Sequence, residues 1–359
     1  MEFQKYIDSS TDLISDLKKE GFKIKSYKGL KIISYSYDNV PSLQSENDLW
    51  KLYCRGVVID SKKQIICLPP MKAIEIKNEE ELEQISEMNN YEELIDGTMI
   101  NLFNYDDEWL ISTRSEIGGY NKWGNKKSFK QMFDECKDFD MNDLNKDYSY
   151  SFVLRHTENR NISPIQINEL YLVEMYQFKN DNKERNIRKL NKIEYPSNFL
   201  KISICENGIS LIQDMKKKPY YCKGYTIKTK NRRYKIINPN FEKIKGLKMN
   251  TNNLFINYLE LRKNKNVINY LKYFPEHTYT FNHYRNKIHN ISNELYTYYK
   301  NIYIYKKTNK KEIPYHLKPL MNDIHKQYLQ TKKPTSWDDI KNYINNLPSK
   351  KLYFAINQS

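Results

Sequence analysis

The chain of 359 residues is poor in the features that would assign its class at a glance. Five cysteines occur, Cys54, Cys67, Cys136, Cys205 and Cys222, an odd number with no pair at metal-ligand spacing. This pattern speaks against a zinc site and for free thiols in a reducing compartment. No apolar run approaches the ~20 residues needed to cross a bilayer. The opening Met1-Glu2-Phe3-Gln4-Lys5 is polar and lacks the apolar stretch of a secretory signal. The expectation is a soluble, intracellular protein with no membrane partner. The sequence has no internal repeat and no low-complexity tail. Its six histidines, five of them after residue 270, show no motif spacing, so His283 and His289 read as structural.

What the chain does have is positive charge. Lysine and arginine number 59 against 44 acidic residues, a net charge of +15 and a pI near 9.2. Proteins this basic commonly meet a polyanion. The excess is localised: from Lys245 to Ser359 there are 20 basic and 7 acidic residues, a balance of +13, which leaves +2 for residues 1–244. Tyrosine is dense in the same region, with 14 of the chain's 31 between residues 258 and 353.

Local patterns divide the chain in the same place. A helix is expected over 11–20, capped by Ser10 or Thr11 with Leu13, Ile14 and Leu17 on one face. Short β-like runs follow at 30–35, 56–59, 64–68, 99–103, 109–112, 149–155, 170–178, 224–228 and 233–237. Turns such as Asp106-Asp107 and Lys230-Asn231-Arg232 separate them, and a helix is expected near 127–137. The fold class expected for residues 1–244 is α+β with mostly antiparallel strands. From Lys245-Gly246 onward the periodicity turns helical, as at Leu254, Tyr258, Leu261 and at Ile268, Leu271. Pro275, Pro314, Pro319 and Pro334 divide residues 245–359 into several helices of a second, α-helical domain.

Within the first domain an ordered series of short motifs stands out. It begins with Leu30-Lys31-Ile32-Ile33-Ser34-Tyr35-Ser36-Tyr37 and Tyr53-Cys54-Arg55-Gly56-Val57-Val58-Ile59-Asp60. Leu68-Pro69-Pro70-Met71-Lys72 and Leu94-Ile95-Asp96-Gly97-Thr98 come next, then Trp109-Leu110-Ile111-Ser112-Thr113-Arg114-Ser115. The series ends with Phe152-Val153-Leu154-Arg155-His156-Thr157-Glu158-Asn159-Arg160, Leu170–Tyr176, Cys222-Lys223-Gly224-Tyr225-Thr226-Ile227 and Tyr234-Lys235-Ile236-Ile237. Alone, Asp96-Gly97 is a turn signal; its weight comes from its place in the order. The series resembles the phage-type ATP-dependent RNA ligases of the covalent nucleotidyltransferase superfamily, over roughly residues 25–240. The resemblance implies an ATP-grasp-like ligase domain of antiparallel sheets, and a large DNA virus is a fitting source.

The resemblance also carries departures. In the family a lysine two residues before the Asp-Gly attacks the α-phosphate of ATP and holds AMP as a phosphoramidate, which requires a nitrogen lone pair. Leu94 stands there. The family glutamate that contacts the ribose falls on Val153, and the metal-binding glutamate falls on Lys223, a cation that repels a divalent metal. Of two phosphate-binding lysines Lys235 remains and Ile237 replaces the other. After Met71-Lys72 the usual lysine and phenylalanine are Ala73 and Ile74. Phosphate- and nucleotide-binding positions retained are Arg55, Asp96, Gly97, Arg114, Asn159, Arg160 and Lys235.

The resemblance therefore implies a pseudoenzyme that binds RNA ends, alone or in an RNA-processing complex. It would require no cofactor, and ATP or another nucleotide would be a ligand without turnover. Two alternatives stay open. One is an active, magnesium-dependent RNA ligase with a relocated nucleophile, Lys72 or Lys223. The other is a structural or packaged viral protein that reuses the fold. The expected setting is the cytoplasm, a viral factory or a virion.

Overall fold

A computed structural model describes residues 2–35, 46–85, 91–124, 126–181, 184–197, 199–202, 204–205, 211–229 and 232–357. The chain divides into two compact units, Met1–Glu242 and Lys243–Ser359.

The first unit is α+β, and its described residues form three sheets. In one, strands Lys23–Tyr27, Leu30–Ser34, Arg55–Ile59 and Ile65–Cys67 pair antiparallel in chain order. The largest runs Glu184–Lys189, Glu169–Asp181, Tyr148–Arg155, Thr98–Tyr105, Glu108–Ser112, again antiparallel. The short Leu200–Lys201 strand lies parallel beside Tyr171 and Leu172. The third orders Ile204–Cys205, Tyr91–Glu93, Gly224–Lys228, Arg233–Ile237 and Ile74–Glu75, the last pairing parallel.

Sequence chemistry explains the joints. Asp106 and Asp107 both take positive φ, 51° and 60°. That is the paired left-handed conformation which matches hairpin twist, and acidic residues tolerate it. It sets the register Tyr105↔Glu108. Helix Phe129–Cys136 starts on a capping box between Ser128 and Gln131 and buries Phe129, Met132 and Phe133. These meet Ile100, Leu102, Tyr150 and Phe152 of the largest sheet. Helix Leu211–Lys217 buries Leu211 and Met215 against Tyr91, Tyr225 and Ile227 of the third sheet.

One local expectation changes. The second helix spans Leu13–Lys19 and its cap is Asp12, whose carboxylate accepts from the Ser15 amide. The Ser10 hydroxyl instead donates to Asp16 at 2.6 Å. Of the turn at Lys230-Asn231-Arg232, Lys230 and Asn231 lie outside the described residues; the Thr229 amide donates to the Arg232 carbonyl at 3.0 Å.

The second unit is helical, with Leu254–Lys263, Val267–Tyr273, Thr278–Tyr299, Lys318–Thr331, Trp337–Asn346 and Ser349–Asn357. Its core is aromatic: Tyr270 stacks on Phe274 at 4.5 Å and on Phe281 at 5.3 Å, all three fully buried. The Tyr270 hydroxyl finds the His277 Nδ1 at 2.8 Å, so the buried polar end is satisfied. Pro319 lies in the first turn of its helix, where a missing amide costs nothing.

Candidate functional site

Two polar corners of the first unit collect the residues singled out in the sequence. The first is cationic and gathers on Tyr35. Gly56 takes φ +113°, and a Cβ there would lie 3.1 Å from the carbonyl oxygens of Thr113 and Arg114. The missing side chain therefore lets the Arg55–Ile59 strand press against the turn that carries Arg114. The Arg114 guanidinium donates to the Tyr35 carbonyl and lies 5.1 Å from the Tyr35 ring centre. Lys72 is anchored by its amide on the Leu52 carbonyl, 2.9 Å, and its ammonium sits 6.0 Å from the same ring. Lys235 reaches Glu75 at 2.7 Å. Burial lowers the Lys72 pKa, and so do Arg55, Lys235 and Arg114 around it. Four cations thus converge on one corner. Such a corner attracts an anion with several oxygens, phosphate above all.

The second corner is closed on itself. Asp96 is 8% exposed; one carboxylate oxygen accepts the amides of Ile162 and Ser163 at 2.9 and 3.0 Å. The other oxygen lies 3.4 Å from the Lys223 ammonium, which also donates to the Ile95 carbonyl at 3.4 Å. Gly97 is required here by packing: a Cβ would sit 2.5 Å from the Leu154 carbonyl oxygen and 2.6 Å from Val153 Cγ1. The Asn159 side chain donates through Nδ2 to Thr98 Oγ1 at 2.9 Å. Arg160 turns back onto its own segment and donates to the Ile162 carbonyl at 3.2 and 3.0 Å.

The positions at which the resemblance implies departures lie nearby in the same unit. Leu94 is half-buried, and its amide donates to the Gly224 carbonyl at 2.8 Å. Val153 is buried in a cluster with Val173 and Ile202, and Ile95, Met99 and Tyr171 pack against it. Ile237 is half-buried on the strand that carries Lys235, directly opposite Gly224. Positions where the family implies carboxylates are thus apolar packing at Val153 and an ion-pair donor at Lys223. Among the described residues no group of three histidine, cysteine or acidic side chains is placed to hold a metal ion. In the second corner Asp96 is already engaged by two amides and an ammonium, so its carboxylate does not fit a divalent cation.

A third cluster was not anticipated from the sequence. Glu174 and Glu92 are buried and share the Lys228 ammonium, at 4.0 and 2.9 Å. Lys189 reaches Glu174 at 3.1 Å and Lys192 reaches Glu92 at 3.2 Å. Tyr176 donates to Glu174 at 2.6 Å. Burial opposes ionisation of Glu174, but Lys189, Lys228 and Arg233 outweigh it, and the carboxyl is held down to about 2. Burial in turn lowers Lys228 to about 8 against the pull of Glu174 and Glu92. The signal was a carboxylate inside an otherwise apolar strand, Leu172-Val173-Glu174-Met175, at the point where register shifts.

No family model matches the chain. The "Immediate-early protein ICP-46 homolog" of Invertebrate iridescent virus 3 is 24% identical over 281 residues, 71% of this chain and 61% of that protein. The chain therefore spans less than two thirds of the relative's length. Among solved structures it is similar to a protein of Aquifex aeolicus described as an ATP-dependent DNA ligase, at a TM-score of 0.45 and 18% identity, over 71% of this chain and 66% of that one. It is also similar to a mutant Naegleria gruberi RNA ligase with ATP and Mn, at a TM-score of 0.36 and 13% identity, over 46% and 54%. Likenesses this distant carry no argument about the site. What stands is an α+β unit of antiparallel sheets followed by a helical region, similar in part to ATP-dependent DNA and RNA ligases.

Proposed function

We propose that residues 1–242 are an RNA-ligase-like nucleotidyltransferase domain that has kept a phosphate-binding corner and lost covalent adenylyl transfer, and that the whole chain binds RNA. The observation that carries this reading is the Lys223–Asp96 ion pair. It neutralises the one corner in which a metal-bound phosphate would need carboxylates, while Leu94 offers no nucleophile and Val153 is absorbed into apolar packing. The cations around Tyr35 support metal-free binding of a polyphosphate or an RNA phosphate. The basic residues of the second unit add the sequence-independent attraction that holds RNA. We place the protein inside the cell, as a viral RNA-end-binding factor.

An active ligase is the second reading, and one observation favours it. Lys72 has a lowered pKa, from burial and then from Arg55, Lys235 and Arg114, and a lysine among other cations is the better nucleophile. Inorganic tripolyphosphate separates binding from chemistry. In EDTA it should raise the Tm of the full chain, and a variant combining Arg114→Ala and Lys235→Ala should lose that shift. Equal shifts for variant and wild type would refute the phosphate corner. Leu94→Lys with labelled ATP should stay unlabelled on a denaturing gel, because Val153 and Lys223 are still in place; strong labelling would refute the weight given to them.

A further inference from the structure

The second unit contains one edge where aromatic rings and lysines alternate without acidic partners. Helix Thr278–Tyr299 runs on into a π-turn, Lys300–Ile304, closed by the Tyr305 amide on the Lys300 carbonyl at 2.8 Å. The Lys307 amide returns to the Asn301 carbonyl at 2.7 Å, and Lys306 takes a positive φ of 56°. The loop so formed holds Tyr305 outward: it is 53% exposed, beside Ile304 at 52%. The ammoniums of Lys300 and Lys307 lie 5.9 and 5.6 Å from its ring centre.

The same segment contributes Tyr303 to a stack. Tyr303 lies on His325 at 3.8 Å with planes 13° apart, and His325 on Tyr328 at 5.8 Å and 24°. Lys310 sits 4.9 Å from the Tyr303 ring centre. The His325 Nδ1 is buried without a hydrogen-bond partner. Burial, then the charge of Lys310, lowers the His325 pKa. Among the described residues none of Lys300, Lys306, Lys307, Lys310 and Lys311 forms an ion pair with a carboxylate. Glu312, the one acidic residue of the segment, is turned onto the Asn309 amide at 3.0 Å.

An exposed ring costs hydration, and unpaired like charges repel one another; a flexible polyanion with flat, stackable groups relieves both. A duplex presents phosphates but hides its base faces, so it satisfies only the lysines. We infer that this edge is a binding ledge for single-stranded RNA, with a base stacked on Tyr305 and the neighbouring phosphates neutralised by the lysines of residues 300–311. This deepens the RNA-binding reading above and rests on it.

The test is fluorescence anisotropy of the full chain with a short labelled oligouridylate, across salt from about 50 to about 200 mM. Tyr305→Ala should weaken binding about ten-fold, while Tyr305→Phe keeps wild-type affinity and both variants keep the wild-type Tm. Replacing Lys306, Lys307, Lys310 and Lys311 together by Gln should lower the slope of log affinity against log salt by about 3. A duplex of the same length should bind less tightly and be insensitive to Tyr305→Ala. If the wild type binds the oligonucleotide and every variant matches it, the ledge is wrong and the RNA reading stands. If the wild type binds no oligonucleotide at low salt, both fall. Loss of binding to phosphatidylserine vesicles through the same substitutions, with RNA binding untouched, would also overturn the ledge.

Discussion

The two units handle charge in opposite ways. The first is almost neutral and pairs its charges internally: Lys223 with Asp96, Lys235 with Glu75, and the Glu92–Lys228–Glu174 cluster deep between strands. The second carries +13 over residues 245–359 and leaves a run of lysines at the surface beside exposed tyrosine. Buried pairs are costly to break because the surviving partner stays in a medium that solvates it poorly. Exposed lysines add little to folding and are available for a partner. Outside the cationic corner at Lys72, charge in the first unit therefore serves the fold; in the second it is available for recognition.

Breaking this contrast should show most strongly at Glu174. Glu174→Ala leaves Lys189 without its buried partner and Lys228 with Glu92 alone, and should cost about 3–5 kcal/mol in urea unfolding. Lys306→Ala in the second unit should change stability by less than about 0.5 kcal/mol. Similar losses for the two would erase the distinction.

Acid should sharpen it. A carboxyl whose folded pKa lies near 2, against 4.5 for its free value, contributes stability that is fully present above pH 4.5 and lost as pH falls through 2. Thermal melts from neutral pH downward should show the first unit losing stability across that window. Glu174→Gln should flatten the loss, and an unchanged acid limb in that variant would assign the sensitivity elsewhere.

A smaller effect is expected at Gly97. Its missing Cβ keeps 2.5 Å of space from the Leu154 carbonyl, so Gly97→Ala must push the Asp96 loop off the Tyr148–Arg155 strand. The expected loss is about 1–3 kcal/mol, with the Tm of the first unit as readout. A neutral substitution would mean that the loop moves freely and that the Asp96 corner is not rigid.

Much of the first unit was legible because its elements are short and punctuated. Asp106-Asp107 marks a hairpin, and alternating apolar residues mark the strands on either side. Spacing is less informative where several residues satisfy one rule. Ser10, Thr11 and Asp12 are all good caps, and the choice of Asp12 depends on which carbonyl the first turn uses. The helical periodicity at Ile268 and Leu271 marked a helix, Val267–Tyr273, without marking its buried side. Ile268 is 78% exposed, and Tyr270, two residues and roughly 200° around the helix, carries the burial. The site divides in the same way. Sequence order picked out Arg55, Arg114 and Lys235, but not Lys72 as the centre of their charge. That depends on three elements folding together around Lys72. Nor did composition reveal the Glu174 cluster, whose partners lie far apart in the chain.

The claim that decides between the readings is the loss of covalent chemistry. Intact-mass measurement of the full chain, after incubation with ATP or GTP and magnesium or manganese, tests it directly. The account predicts an unchanged mass. A gain of one nucleoside monophosphate that disappears in Lys72→Gln or Lys223→Gln would contradict it and establish a relocated nucleophile.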